Sequence, residues 1–467
     1  MRATRARTRL PAFPAGSAVA VLGLGVSGEA ASRLAAAEGG LVYSSDLSTG
    51  PGPTAAAARL AGVGIDAETG RHDVQRVLSA DLVIVSPGIG PASDIRRRID
   101  DAGIRTIAEV ELAWRYLESR VIAITGTNGK TTTTGLIAHV LEAGGLRASA
   151  AGNIGLALSE IVQQDRQPEW VALELSSFQL ADHETLNPDI GVLLNLSPDH
   201  LDRYPDVESY YADKRRLFDG ASADSRWILN ADDPDSLELA AGVEGERCLF
   251  SLRGPVDRGA WAGSDGILRC RLDSEAEWMP AADLRLLGPH NVANALAAGL
   301  ACALAGVEPG AIATGRSTFE ALPHRLQPIG ERDEVLWVND SKATNVSATA
   351  VALRAFDRPI VLILGGRHKG EPYSSLAADL VARARATVAY GEAAPRIASD
   401  LAGVTDVREV HGGIDTVVRA AAELARPGDV VLLSPACSSY DMFRNYRERG
   451  CAFASAFRAL PADGGGS

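Results

Sequence analysis

The chain's 467 residues are enough for two to four domains, and a composition of 46% hydrophobic and 22% charged residues is that of a globular protein. A formal charge of −13 argues against a nucleic-acid partner, which would call for a basic face. Five scattered cysteines without a C-x-x-C pair argue against a disulfide framework and a structural zinc. No apolar run reaches the roughly 20 residues of a bilayer span, and the longest, 292–307, reads as a buried helix. A cytoplasmic monomer without membrane insertion is expected.

Residues 1–14 carry Arg2, Arg5, Arg7 and Arg9 with no acid and no apolar core, so they read as a disordered basic tail and not as a signal peptide. Segment 15–117 opens on a short strand at 19–22. Gly23-Leu24-Gly25-Val26-Ser27-Gly28 and an Ala-rich helix follow, a G-x-G-x-x-G turn in strand–helix context. A second strand, 41–46, ends in Asp46, at the distance where dinucleotide folds place a ribose-binding acid. A third, 81–85, runs into Ser86-Pro87-Gly88-Ile89. The segment reads as Rossmann-like, suited to NAD or to another nucleotide diphosphate.

Segment 118–322 begins with a β-branched run, 121–124, and then Thr125-Gly126-Thr127-Asn128-Gly129-Lys130-Thr131-Thr132. Strand, glycine turn, lysine, hydroxyl and helix start in that order make a triphosphate cradle. Backbone N–H groups and a helix N-terminus face the anion, Lys130 adds charge, and the Thr131 hydroxyl suits Mg²⁺. The position five before Gly129 is Ile124, so the loop is a shorter form than G-x-x-x-x-G-K-[ST]. Glu174 ends an apolar strand, where a lone carboxylate is costly unless paired or metal-bound. His200 follows the strand at 189–196. Ligands gather at the carboxyl ends of such strands, so Glu174 and His200 are expected beside Lys130 and Thr131, around Mg²⁺. By composition Lys214 is one charge on a solvated helix face. Residues 249–287 read as short β elements, and Asn291 and Asn294 share a helix face.

Segment 323–460 repeats the strand–glycine–helix pattern around 335–345, 360–370, 387–391 and 430–440. Hydroxyls, amides and lysines stand at the strand ends, an anion-binding rim suited to carboxylates or to a sugar or nucleotide phosphate. Residues 461–467 read as a frayed end.

The stretches TGTNGKTT, GNIG, LELSSFQL, NLSPDHLDRYP, GPHNVANAL, LPHRL, NDSKATN and LLSPACSSYDMFRNYRERG together resemble the Mur ligases of peptidoglycan synthesis, over nearly the whole chain. The resemblance implies an α/β enzyme of three domains: a Rossmann-like N-terminal domain (15–117) for a UDP-linked substrate, a central P-loop ATPase-type domain (118–322), and a C-terminal Rossmann-like domain (323–460) for an amino acid. It implies ATP-dependent, ADP-forming ligation of D-glutamate to UDP-N-acetylmuramoyl-L-alanine through an acyl phosphate. By the same resemblance Lys130 neutralises the transferring phosphate. Thr131 and Glu174 hold one Mg²⁺ and His200 a second. Lys214 carries a CO₂-derived carbamate as a further metal ligand. Gly126 to Thr132, Asn291, Asn294, Arg325, Asp340 and Lys342 contact ATP. Val26, Ser27, Asn153 and His200 contact the UDP substrate. Thr344, Lys369, Ser439 and Tyr446 hold glutamate. Two local departures stand out: Gly370-Glu371-Pro372-Tyr373, where many relatives carry an acid followed by Phe, and Asp46-Leu47-Ser48, which lacks a Thr-Arg pair. The alternatives are an L-glutamate-adding variant, a folylpolyglutamate-type ligase, an NAD-dependent oxidoreductase built on the first turn, and a non-catalytic nucleotide-gated remnant.

Overall fold

A computed structural model describes residues 11–199 and 203–461. The first sheet holds β1 (Ala18–Leu22), β2 (Leu41–Asp46), β3 (Asp66–Thr69), β4 (Leu82–Val85) and β5 (Thr106–Ala108), all parallel, in the order β3-β2-β1-β4-β5. The strand order reverses between β1 and β4, so the crevice of this doubly wound sheet opens beside the Gly23 turn. That turn is closely packed. A Cβ on Gly28 would lie 1.7 Å from the Gly23 carbonyl oxygen, so only glycine lets helix and strand approach there.

The second sheet holds β6 (Arg120–Thr125), β7 (Ala148–Gly152), β8 (Trp170–Glu174), β9 (Ile190–Leu193), β10 (Arg226–Asn230), β11 (Glu246–Ser251), β12 (Gly259–Ala262), β13 (Ile267–Arg271) and β14 (Glu275–Pro280). Its order is β14-β13-β12-β11-β10-β9-β6-β8-β7. β6 lies between β8 and β9, parallel to both, and Val121 to Ile124 are fully buried. Burial on both faces is why this run is continuously apolar and not alternating.

The third sheet holds β15 (Gln327–Arg332), β16 (Val335–Asn339), β17 (Ile360–Gly365), β18 (Ala384–Tyr390), β19 (Val407–Val410) and β20 (Val430–Leu433), in the order β15-β16-β20-β17-β18-β19. Only the edge pair β15–β16 is antiparallel in this sheet. The fold is therefore mixed α/β with predominantly parallel sheets.

The chain packs as two compact units. One runs to Met279 and takes in Ala295–Arg316; the other comprises Pro280–Asn294 and the chain from Ser317. The first two sheets belong to the first unit and are tied by side chains. Arg96 forms a paired hydrogen bond with Asp182 at 2.6 and 3.0 Å, and Arg203 donates to the carbonyls of Pro87 and Gly88 at 3.2 and 2.6 Å. Among the described residues no helix is long and apolar enough to cross a membrane.

One expectation needs correction and another needs an addition. Part of the basic tail is anchored: Ala12 and Phe13 are buried, Phe13 belongs to the core with Val19 and Ala35, and Arg105 donates to the Ala12 carbonyl at 2.6 Å. Burying an aromatic ring outweighs ordering a few residues of backbone. The remainder of the tail, 1–10, and the end, 462–467, lie outside the described residues. Asp46, in turn, is occupied by the protein's own backbone. Its carboxylate accepts the Leu24 N–H at 2.7 Å and the Ser48 N–H at 2.7 Å, so it clamps the glycine turn, a structural role its sequence position did not suggest.

Candidate active site

The phosphate loop joins β6 to the helix Lys130–Ala143. Gly129 caps that helix in the left-handed region at φ +83°, and Gly126 sits at φ +149° with the Leu194 side chain 3.0 Å from where its Cβ would be. Both positions require glycine. A residue that sequence reasoning missed holds the loop from below. Asn195, just past β9, accepts from the Asn128 N–H at 2.8 Å and donates to the Asn128 carbonyl at 3.0 Å, while its own carbonyl accepts from Thr127 N–H at 2.9 Å. A polar side chain directly after a buried parallel strand was the available signal. The Thr127 hydroxyl donates to the Ser197 carbonyl and lies 3.3 Å from the Tyr210 hydroxyl.

β6 and β8 pair so that Ile124 faces Glu174, which brings the carboxylate to the loop. Glu174 is 1% exposed. One oxygen accepts from the Asn153 side chain at 2.9 Å; the other is buried with no hydrogen-bond partner among the described residues. A buried carboxylate oxygen left unpaired is costly, and a hard divalent cation would satisfy it.

Lys130 curls back, donating to the carbonyls of Gly126 and Thr127 at 2.8 Å each. Lys214, from the helix Val207–Arg215, donates to the same Gly126 carbonyl at 2.8 Å and stands 4.7 Å from the Tyr210 ring. Its reading as a solvated surface charge is overturned, because it is 1% exposed. Burial, joined by the Lys130 charge, holds its pKa well below the ordinary lysine value, against the opposing pull of Asp199, Glu174 and Asp213. Burial thus shifts the balance toward the neutral amine, which still donates its hydrogen bond to Gly126.

Gly126 to Thr132, Asn153, Glu174 and Lys214 therefore meet in one place at the carboxyl edge of the second sheet. His200 lies outside the described residues. Val26 and Ser27 begin the helix Val26–Ala37 on the first sheet, and Val26 is 63% exposed, open to a ligand. A cavity of about 230 Å³ is lined by Val85, Pro87 and Ile89 beside the first sheet and by Phe178, Tyr204 and Asp213 of the segment carrying the second, among others. Tyr204 stacks on Phe178 at 5.5 Å and donates to Asp213 at 2.8 Å.

The remaining candidates belong to the second unit. Asn291 donates to the Leu287 carbonyl at 2.7 Å and accepts from Asn294 at 3.0 Å, the pairing their spacing allows. Asp340 is buried. It accepts from the Leu326 N–H at 3.1 Å and the Ser434 hydroxyl at 2.9 Å, and burial pushes its carboxyl up to about 7. The backbone N–H of Lys342 reaches the His324 carbonyl, and its ammonium lies 4.2 Å from the Tyr446 ring. Arg325 is close enough to Asp340 to favour its charged form. Lys369 and Ser439 stand on two loops that pair through reciprocal backbone bonds between Arg367 and Ser438. Thr344 follows β16 on the same rim.

Fold and loop define a phosphate-loop α/β protein. The family profile for the Mur ligase middle domain matches residues 124–302, and that for the Mur ligase glutamate ligase domain matches 324–437. UDP-N-acetylmuramoylalanine–D-glutamate ligase of Salinibacter ruber is 42% identical over 443 residues, spanning 93% of this chain and 96% of the relative. The enzyme of that name from Acidobacterium capsulatum is 40% identical over 440 residues, 94% and 95% of the two chains. Among solved structures, UDP-N-acetylmuramate–alanine ligase MurC of Thermotoga maritima superposes with a TM-score of 0.60 at 17% identity, covering 95% of this chain and all of that one. A pseudomurein peptide ligase type C of Methanothermus fervidus gives 0.57 at 18%, covering 90% and 96%. The chain belongs to the Mur ligase family, and it is a ligase.

Proposed function

We propose that this ligase joins D-glutamate to UDP-N-acetylmuramoyl-L-alanine at the cost of one ATP, releasing ADP and phosphate in the synthesis of a cytoplasmic peptidoglycan precursor. The observation that carries the reading is the meeting of the phosphate loop with the unpaired Glu174 oxygen and the buried Lys214 amine. The names of the relatives that match the chain nearly end to end support the substrates.

In this reading the substrate's carboxylate oxygen attacks the γ-phosphorus and ADP leaves. The glutamate amine then attacks the acyl-phosphate carbon, phosphate departs, and loss of a proton leaves the amide. Phosphoryl transfer needs positioning and charge neutralisation above all. Lys130 turns from its loop carbonyls to the phosphate, while the backbone around Gly129 orients it. Thr131, Glu174, His200 and a carbamate on Lys214 would be the donors for two Mg²⁺, which would supply neutralisation of the phosphate charge. The Glu174 oxygen that has no partner among the described residues and the buried Lys214 amine fit that role. The amine adds to CO₂, forming an N–C bond and releasing a proton, and the product is an anionic oxygen ligand.

Val26 and Ser27 receive the diphosphate at a helix N-terminus. The cavity beside Phe178 suits the sugar–peptide arm of the substrate, and Asn153 and His200 serve its carboxyl end. Asn291, Asn294, Arg325, Asp340 and Lys342 serve ATP, and Thr344, Lys369, Ser439 and Tyr446 serve glutamate. A division at 117/118 and 322/323, and a monomeric state, belong to the same proposal.

The test is phosphate release from ATP with UDP-N-acetylmuramoyl-L-alanine and D-glutamate, L-glutamate or neither. Release dependent on D-glutamate is expected. Preference for L-glutamate would refute the stereochemistry, and no release under any condition would refute the ligase.

A further inference from the structure

A hydrogen-bonded relay lies behind the rim of the second unit. The Tyr373 hydroxyl is 3.0 Å from His368 Nδ1 and 2.9 Å from Cys437 Sγ. Tyr373 is 1% exposed and Cys437 fully buried, so neither group has water as a substitute partner. One hydroxyl serves both neighbours, since it can donate to one while accepting from the other. The backbone N–H of Tyr373 is held on Asp400 at 3.1 Å, and burial of the ring leaves it little freedom. The chain neighbours of its two partners matter most. His368 adjoins Lys369, and Cys437 stands two residues before Ser439. These loops already touch through the Arg367–Ser438 bridge and through the Gly365 N–H on the Pro435 carbonyl at 3.0 Å. The relay adds a side-chain fastening directly behind the two candidate ligands.

We infer that Tyr373 is a positioning residue for the incoming amino acid, its hydroxyl setting the spacing of Lys369 and Ser439 by joining His368 to Cys437. The inference rests on the assignment of Lys369 and Ser439 to glutamate. The hydroxyl touches no reacting atom, so it acts on binding of one substrate and not on the chemical step.

Steady-state kinetics of Tyr373→Phe on the full chain test this. The ring fills the same space, so the variant keeps the core. The KM for D-glutamate rises about three- to tenfold, the worth of a hydrogen bond or two. The KM values for ATP and for the UDP substrate, and kcat at saturating D-glutamate, stay at wild-type values. Cys437→Ser retains a hydroxyl partner and keeps most of the affinity; Cys437→Ala matches Tyr373→Phe, and the double variant Y373F/C437A is no worse than either alone. An unchanged KM for D-glutamate in Y373F, or equal damage to all three KM values, would overturn the inference while leaving the ligase standing. A wild-type enzyme that ignores glutamate would instead overturn the reading beneath it. Should Cys437→Ala fail to fold, the Tyr373→Phe and Cys437→Ser pair decides alone.

Discussion

Replacing Lys214 with alanine lowers kcat severely, and formate or acetate restores part of it. The side chain is buried against the phosphate loop, 2.8 Å from the Gly126 carbonyl and within electrostatic reach of Lys130 and Glu174. Burial in a low-dielectric pocket, and then the neighbouring Lys130 charge, drive its pKa down. In the proposed reading the amine captures CO₂, and the site gains an anionic oxygen ligand beside the phosphate. Alanine removes that anion and leaves a space a small carboxylate can enter. The loss in kcat is expected to be at least about a hundredfold, beyond what a merely supporting residue costs. Assays with and without added carboxylate check it. Full activity in Lys214→Ala would rule out a necessary carbamate.

Glu174→Gln gives the second large effect, about 10²–10³-fold in kcat, the scale of removing one group that stabilises transition-state charge. Glutamine preserves the acceptor for Asn153 and the shape of the strand end. What it removes is the negative charge on a buried oxygen with no partner among the described residues. The variant is therefore at least as heat-stable as the wild type without ligands, and gains less stability from Mg²⁺ with ATP. Thermal unfolding with and without Mg²⁺–ATP separates loss of the metal site from loss of the fold. Wild-type activity in Glu174→Gln would remove the carboxylate from the mechanism.

The phosphate loop was legible in the sequence because its chemistry is local: strand, glycines, lysine and hydroxyl lie within about ten residues, and each conformation follows from residue type. The parallel strands were legible too, since burial on both faces leaves a continuous apolar run. What escaped depends on partners distant in the chain. Asp46 looked like a ribose ligand because its position along the chain matches one; its clamp on two backbone N–H groups was not legible. Phe13 was assigned to a tail because one aromatic does not make a periodic pattern, yet it packs with Ala35. Lys214 looked solvated among the charges of Asp213, Arg215 and Arg216. The clue was Tyr210, one helical turn earlier and buried, which marks that face as inward. Asn195 and the Tyr373 relay act through folded geometry that no spacing announces.

The central claim is that the γ-phosphate passes to a substrate carboxylate and not to water. It is tested by labelling the alanyl carboxylate of UDP-N-acetylmuramoyl-L-alanine with ¹⁸O and analysing the released phosphate by mass spectrometry. An acyl phosphate broken by the amine leaves one carboxylate oxygen on phosphorus, so a single ¹⁸O per phosphate is predicted. Unlabelled phosphate accompanying amide formation would contradict the account.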